Sequence, residues 1–350
     1  MNQFIQLSNK EREEALLAAS LSHSEKLPAF IIEKDFWICQ ILKIIFTVIE
    51  PKLGCVEPAL IFKGGTSLSK CFNLINRMSE DIDLSFSLEL LECSDTVPNN
   101  NAKNKIIDSF ISYMARKSKI FVEEILTPEL KNNLSLLDNN IRIEIESQFP
   151  LNLAIYYPQN LPKEHYANKT VKPRVLLETG GRSNNHPIEH IHITHMLGDC
   201  ISFFKEEKFN VIALKPERTV VEKMYATHEL IIKSEKRNGV KLANKYARHL
   251  YDIWMIYEND KENCFNIKLH KDNLIFQRLF YRKSQDACCP KFSGKFRLVP
   301  TGELYKLYKK DWDNMDDLFP NAQLPWEFDE MIEKMTVIEL ELNKRLNKFI

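Results

Sequence analysis

Two carboxylates two residues apart, with two glycines ahead of them, are where this sequence can do chemistry. Asp81 and Asp83 stand in Arg77-x-Ser79-Glu80-Asp81-Ile82-Asp83-Leu84. On a strand, residues i and i+2 share a face, so both acids point the same way. Carboxylates held that close repel each other unless a cation sits between them. Mg2+ prefers oxygen ligands and binds through one or two carboxylates plus substrate phosphates. Upstream, Phe62-Lys63-Gly64-Gly65-Thr66-Ser67-Leu68-Ser69-Lys70 supplies the other half of such a site. Gly64 and Gly65 lack Cβ atoms, so backbone N–H groups can approach a phosphate closely, and a helix starting there adds positive potential. Thr66, Ser67 and Ser69 carry hydroxyl donors; Lys63, Lys70, Arg77 and Arg182 are cations for phosphate contact. Together the acid pair and the glycine turn read as a metal–nucleoside triphosphate site. In a two-metal form it would activate an attacking hydroxyl and stabilise the leaving pyrophosphate.

The surrounding elements must deliver those residues to one place. Pro58 to Phe62 is a short apolar run ending at the glycines, which predicts a buried strand, a tight turn and a helix from Thr66 to about Asn76. Fifteen residues separate Gly65 from Asp81, room for that helix and a return to the strand 81–87. Ile82 and Leu84 alternate with the acids, so the strand's other face is buried. A glycine pair before a helix is common, and an Asp-x-Asp strand can be a solvated face. The order strand, turn, helix, acid strand carries the specificity. Ser8-x-x-Glu11 predicts a capping box ahead of a helix over 9–21. A second helix opens at Pro28 with its apolar face on Ile31, Ile32, Phe36, Trp37, Ile41, Leu42, Ile45 and Phe46. A long amphipathic helix follows over 103–125, then period-two stretches at 141–146, 153–157, 174–178 and 188–194. Beyond Phe203 the pattern is helical, over 216–233, 243–257, 273–281, 303–315 and 326–347. The expected class is α+β: a mixed-sheet domain over 1–205 and a mostly helical C-terminal domain over 206–350.

Composition excludes several classes. The chain has 350 residues, 44% of them hydrophobic and 27% charged, so it has enough apolar surface to fold. Lys plus Arg and Asp plus Glu number 48 each; a polycation gripping nucleic acid over its whole surface is excluded, and any such contact must be a local patch. The eight cysteines form no Cys-x-x-Cys pair, against a zinc site or a disulfide framework. The polar start has no signal-peptide character, and the apolar run 38–49 is broken by Gln40 and Lys43 and is too short to span a bilayer. The expectation is a cytoplasmic protein with reduced thiols and no membrane partner.

The segment KGGTSLSK…RMSEDIDL resembles the first motif of the polymerase-β-like nucleotidyltransferase superfamily. It resembles more closely the AbiEii-type toxin branch, nucleotidyltransferase toxins of bacterial toxin–antitoxin and phage-defence systems. The long glycine-to-acid gap fits that branch, as do Lys70, Arg77 and Ser79 within it. Glu33-Lys34-Asp35-Phe36-Trp37, Arg218-Thr219-x2-Glu222-Lys223-x4-His228 and Arg248-His249-x-Tyr251-Asp252 resemble its other segments. The matches run from 33 to 252; the last hundred residues carry none.

The resemblance implies a polymerase-β-like nucleotidyltransferase domain in which Asp81 and Asp83 hold Mg2+. It implies a third carboxylate from a neighbouring strand; Glu178 in VLLETGGRS is the choice, with Glu144 and Glu146 as rivals. Gly64, Gly65, Thr66, Ser67, Lys70 and Lys223 would contact the nucleotide. Lys223 would neutralise charge on the triphosphate, and Asp252 would orient Lys223 or the incoming hydroxyl. The plainer role for Asp252 is a helical i,i+4 pair with Arg248. The implied reaction moves a nucleoside monophosphate from an NTP to a hydroxyl, with the tRNA 3′ end as acceptor, and a cognate antitoxin restrains the protein. The same chemistry on a protein or on a small molecule such as an antibiotic, and nucleotide binding without turnover, are the alternatives.

Other clusters have plainer readings. His190, His192 and His195 lack the further ligands of a tetrahedral site and fit a solvent-facing strand. Cys288-Cys289 are thiols without a redox motif. Asp311, Asp313, Asp316 and Asp317 fit a solvated acidic face. Between Arg278 and Arg297 six Lys/Arg face one acid, Asp286, with Phe280, Tyr281, Phe292 and Phe296 interleaved, the best local candidate for RNA contact.

Overall fold

The computed structural model describes residues 3–99, 101–167, 171–181, 184–236, 241–280 and 296–346. Residues 281–295, with Cys288, Cys289 and most of the basic aromatic stretch, lie outside them, as does Arg182. The chain forms two compact units: Met1–Phe72, Met78–Val97 and Asp108–Leu214 make the first, and Asn73–Arg77, Pro98–Ile107 and Lys215–Ile350 the second.

The first unit is built on one mixed sheet of seven strands: β1 (Leu60–Lys63), β2 (Asp81–Phe86), β3 (Arg142–Ile145), β4 (Leu153–Tyr156), β5 (Val175–Gly180), β6 (Ile188–Ile193) and β7 (Phe209–Leu214). Their order is β3-β4-β5-β2-β1-β7-β6. β1 pairs antiparallel with β2 and parallel with β7, and β2 pairs parallel with β5. The acid strand therefore sits near the middle of the sheet, where both neighbours fix its backbone.

The helices of this unit are α1 (Gln3–Gln6), α2 (Asn9–Ser22), α3 (Ala29–Ile44), α4 (Gly64–Lys70), most of α5 (Asn104–Phe121), α6 (Thr127–Ser135) and α7 (Met196–Cys200). Ser8 and Glu11 close the expected capping box ahead of α2. Every residue of α3 except Lys43 is buried, so this is a core helix, not one with a single apolar face. α4 ends at Lys70, six residues short of the expected Asn76. Asn73 takes φ +51°, which no helix continues through, and 73–77 joins the second unit.

β7 is the element that the sequence reading lacks. It carries the first unit to Leu214, past the expected boundary at residue 205, because it is needed between β1 and β6.

The second unit holds α8 (Pro216–Lys236), α9 (Arg248–Asn259), α10 (Lys261–Cys264), α11 (Ile267–Phe280) and two further helices, Gly302–Asp313 and Phe328–Leu346. Its core is aromatic. Phe296, fully buried, stacks on His228 with ring centroids 4.5 Å apart and meets Tyr225 edge-on at 5.1 Å. Phe296 is thus core, not a base-stacking platform. Asp311 also departs from its expected solvated role: it accepts the backbone N–H groups of Lys245 and Ala247, each at 2.8 Å, just before α9. Among the described residues no helix is long and apolar enough to cross a membrane.

Candidate active site

The first unit assembles the glycine turn and the acids into one surface. β1 delivers Lys63 to the N-cap of α4 in extended geometry, and Gly64 opens that helix with φ +79°. Two things require glycine there. L-residues avoid that φ, and a Cβ at this position would lie 1.8 Å from Oδ2 of Asp83. The turn therefore leaves out a side chain where the carboxylate stands.

Thr66 and Ser67 are buried and turned inward. Thr66 Oγ1 bonds Ser79 Oγ at 2.9 Å and donates to the carbonyl of Asp81. Ser67 donates to the carbonyl of Gly64 at 3.0 Å, and Ser69 to that of Thr66 at 3.1 Å. The hydroxyls thus hold the turn and tie it to the acid strand.

The sheet register then decides which acids meet. Asp83 lies opposite Lys63 on β1 and opposite Glu178 on β5, and Asp81 lies opposite Leu176. Opposed residues share a face, so Asp81, Asp83 and Glu178 are on one side of the sheet, with neighbouring strands about 4.8 Å apart. On the reverse side Ile82, Val175 and Leu177 are buried. A cavity of about 370 Å3 is lined by Lys63, Asp83, Glu178 and Gly180, and also by Leu84, Thr179 and residues of α5. Asn152 Nδ2 stands 3.5 Å from Glu178 Oε1.

The rival acids lie elsewhere. Glu144 is on β3, opposite Ala154, and two strands separate β3 from β2. Glu146 pairs with Arg174 at 2.9 Å.

Among the described residues no three His, Cys, Asp or Glu side chains already form a closed ion cage. The donor set still fits Mg2+, which takes one or two carboxylates and completes its shell with phosphate and water. The side chain omitted at Gly64 leaves room for the Asp83 carboxylate. His190 and His192 are exposed on β6, while His195 is buried and caps α7 by accepting the N–H of Gly198.

Buried charges of α3 frame this surface, and sequence reasoning assigned Glu33, Lys34 and Asp35 no role. Glu33 accepts the backbone and side-chain N–H groups of Asn160, each at 2.9 Å, and the Tyr166 hydroxyl. Burial pushes its carboxyl pKa up against those bonds. Lys34 pairs with Glu80 at 2.7 Å, next to Asp81. Asp35 pairs with Lys70 at 2.6 Å and accepts the N–H of Met196. Burial alone would discharge Lys70, but Asp35 outweighs it and holds the ammonium pKa above its usual value. Lys70 is thereby engaged at the end of α4, also donating to the carbonyl of Thr194 at 3.0 Å. Three consecutive charged residues inside an apolar helix were the available signal, because buried charges must be paired.

The second unit carries its own charge cluster. Arg77 grips Asp252 with both arms, Nε to Oδ1 at 2.8 Å and Nη2 to Oδ2 at 2.7 Å. Lys223 of α8 reaches the same Oδ2 at 2.9 Å, and Asp252 is fully buried on α9. Its partners are therefore Arg77 and Lys223, in place of the expected i,i+4 pair with Arg248. Burial opposes the charge on Asp252, yet the two cations hold its pKa well below the usual carboxylate range. Burial lowers the Lys223 pKa, and Asp252 only partly restores it. Burial and the cations Lys223 and Arg248 push His249 far down, so its ring is neutral and its Nδ1, 3.3 Å from Lys223 Nζ, is an acceptor. Within Arg77, Lys223 and Asp252, two cations share one anion, and the excess is positive.

Comparison with known proteins bears on these arrangements. No curated protein matches the chain. Among solved structures it is similar to MenT4, the nucleotidyltransferase toxin Rv2826c from Mycobacterium tuberculosis H37Rv, with 14% identity over 97% of this chain and 88% of that one, at a TM-score of 0.42. The family described as nucleotidyl transferase AbiEii toxin, type IV TA system, matches residues 56–334, a span that includes the glycine turn, all three acids and the Lys223–Asp252 pair. The chain belongs to the AbiEii family of nucleotidyltransferase toxins of type IV toxin–antitoxin systems.

Proposed function

We propose that the protein transfers a nucleoside monophosphate from an NTP to an acceptor hydroxyl, with the 3′ end of tRNA as acceptor, in the cytoplasm and under the restraint of a cognate antitoxin. The observation that carries this reading is the register of β2 and β5, which sets Glu178 opposite Asp83 on the face of Asp81, with Gly64 leaving room beside them. Asp81, Asp83 and Glu178 would hold Mg2+, which when bound supplies charge neutralisation at the phosphates and lowers the pKa of a coordinated hydroxyl.

The rest falls to the chain's own groups. The acceptor oxygen attacks the α-phosphorus, the bond from that phosphorus to the bridging oxygen breaks, and pyrophosphate leaves with the electron pair. The hydroxyl proton passes to a carboxylate of the set. Gly64 and Gly65 let the phosphates approach the backbone, with Thr66, Ser67 and Lys70 keeping that turn in shape. Lys223, a compact cation in excess over its anion, would meet the triphosphate as charge builds on the leaving group. Asp252 and Arg77 would fix its position.

Incubating the protein with Mg2+, each α-labelled NTP and total cellular RNA and protein tests this. Label at tRNA 3′ ends, lost in Asp83→Asn, is the expected result. Label in protein or small molecules alone would move the acceptor, and transfer that persists in Asp83→Asn would overturn the reading.

A further inference from the structure

We propose that Lys34 is a positioning residue that fixes the register between the two strands bearing the metal carboxylates. The inference rests on the assignment of Asp81, Asp83 and Glu178 to the ion. β2 and β5 are parallel, and 94 residues lie between Asp83 and Glu178. No hairpin sets the register of a parallel pair, and a slip of two residues along one strand would carry Glu178 about 6.6 Å from its place opposite Asp83.

Lys34 lies at the end of the pair where both strands begin. Its Nζ donates to Glu80 Oε2 at 2.7 Å and to the carbonyl of Lys172 at 2.9 Å. The N–H of Lys172 lies 3.3 Å from the same Glu80 oxygen and closes the triangle. Glu80 is the residue before β2, and Lys172 comes three residues before β5. The Lys34 side chain is 1% exposed and that of Glu80 12%, so this contact is largely shielded from water, a setting in which an ion pair is held more tightly. Its helix cannot yield, because the neighbours of Lys34 are themselves tied down: Glu33 to Asn160 and Tyr166, Asp35 to Lys70 and Met196. The staple therefore joins the approach to Asp81 with the approach to Glu178 from outside the sheet.

Mn2+ binding, followed by the loss of the free-ion paramagnetic signal, tests this without turnover. The variants are Lys34→Arg, Glu80→Gln and the paired change Lys34→Met with Glu80→Leu, which removes both charges and leaves neither orphaned. The paired variant should keep its melting transition and bind Mn2+ about tenfold more weakly, as outer-shell losses do. Lys34→Arg should stay close to the unaltered protein. If the paired variant fails to fold, Glu80→Gln decides, with a smaller weakening in the same direction. Unchanged Mn2+ affinity in a folded paired variant, or in Glu80→Gln, overturns the staple while leaving the carboxylate assignment in place. Failure of the unaltered protein to bind Mn2+, or binding indifferent to Asp83→Asn, overturns the assignment and the staple with it.

Discussion

Gly64→Ala isolates the close approach of the glycine turn to the acid strand. The added Cβ would stand 1.8 Å from Asp83 Oδ2 and 2.6 Å from its Cγ, whereas ordinary contact begins near 3.4 Å. The carboxylate must therefore move by about 1.6 Å or the turn must open. A misplacement of about 1 Å at a reacting group costs roughly a hundredfold in rate. The backbone adds a second, separable effect, since alanine at φ +79° is strained by about 1–2 kcal/mol. Gly54 supplies the control: it has φ +67°, and a Cβ there would meet nothing within 4 Å, so Gly54→Ala carries the strain without the collision. Gly54→Ala should lose about 1–2 kcal/mol in urea unfolding, and Gly64→Ala at least as much. Only Gly64→Ala should lose a hundredfold or more in Mg2+-dependent pyrophosphate release with total RNA as acceptor. Activity of Gly64→Ala within threefold of Gly54→Ala, with Asp83 unmoved, would refute the reasoning.

Glu178→Gln should lower transfer about a hundredfold and Glu144→Gln should leave it within twofold; the reverse result would move the third ligand to β3. Asp252→Asn leaves Arg77 and Lys223 facing each other in a buried setting, so urea unfolding should show a loss of about 3–5 kcal/mol, partly recovered by adding Lys223→Met. His228 and His270 are buried and pushed down to about 4 by burial. Both stay neutral when folded but take up a proton near pH 6.5 when unfolded, so stability should fall as pH drops from about 6.5 to 4 and level off below. Each histidine contributes up to about 3 kcal/mol to that slope. Urea midpoints of the unaltered protein and of His228→Gln across that range check this, and parallel slopes would refute it.

Much of the architecture was legible because local signals and tertiary demands agreed. The capping box before α2, the alternation in β2 and the period-two stretches of β3 to β6 each name their element. β7 was not legible, for a physical reason: FNVIAL is a central strand buried on both faces, and a short apolar run lacks the alternation that marks a strand. The end of α4 was missed because it is set by Asn73 and by a segment that joins the second unit. In the site, the spacing of Asp81 and Asp83 predicts their shared face. That Glu178 rather than Glu144 lies beside them depends on strand order, which no spacing encodes. Lys34 and Asp35 read as ordinary charges and Arg77 as a phosphate contact, because their partners, Glu80, Lys70 and Asp252, are defined only by the fold. Arg182 and the basic aromatic stretch from 281 to 295 lie outside the described residues.

The wide sequence separations inside the sheet also set the earliest moment at which the proposed site can form during synthesis. β1 must wait for β7, 150 residues further on, and Asp83 must wait for Glu178. At ribosomal speeds of about 5–20 residues per second, the first strand emerges roughly 8–30 s before its parallel neighbour. A nascent chain that stops short of residue 178 lacks Glu178 and most of the strand that pairs with β2. The topology thus sets an interval after the first strand is made in which the proposed site cannot yet exist.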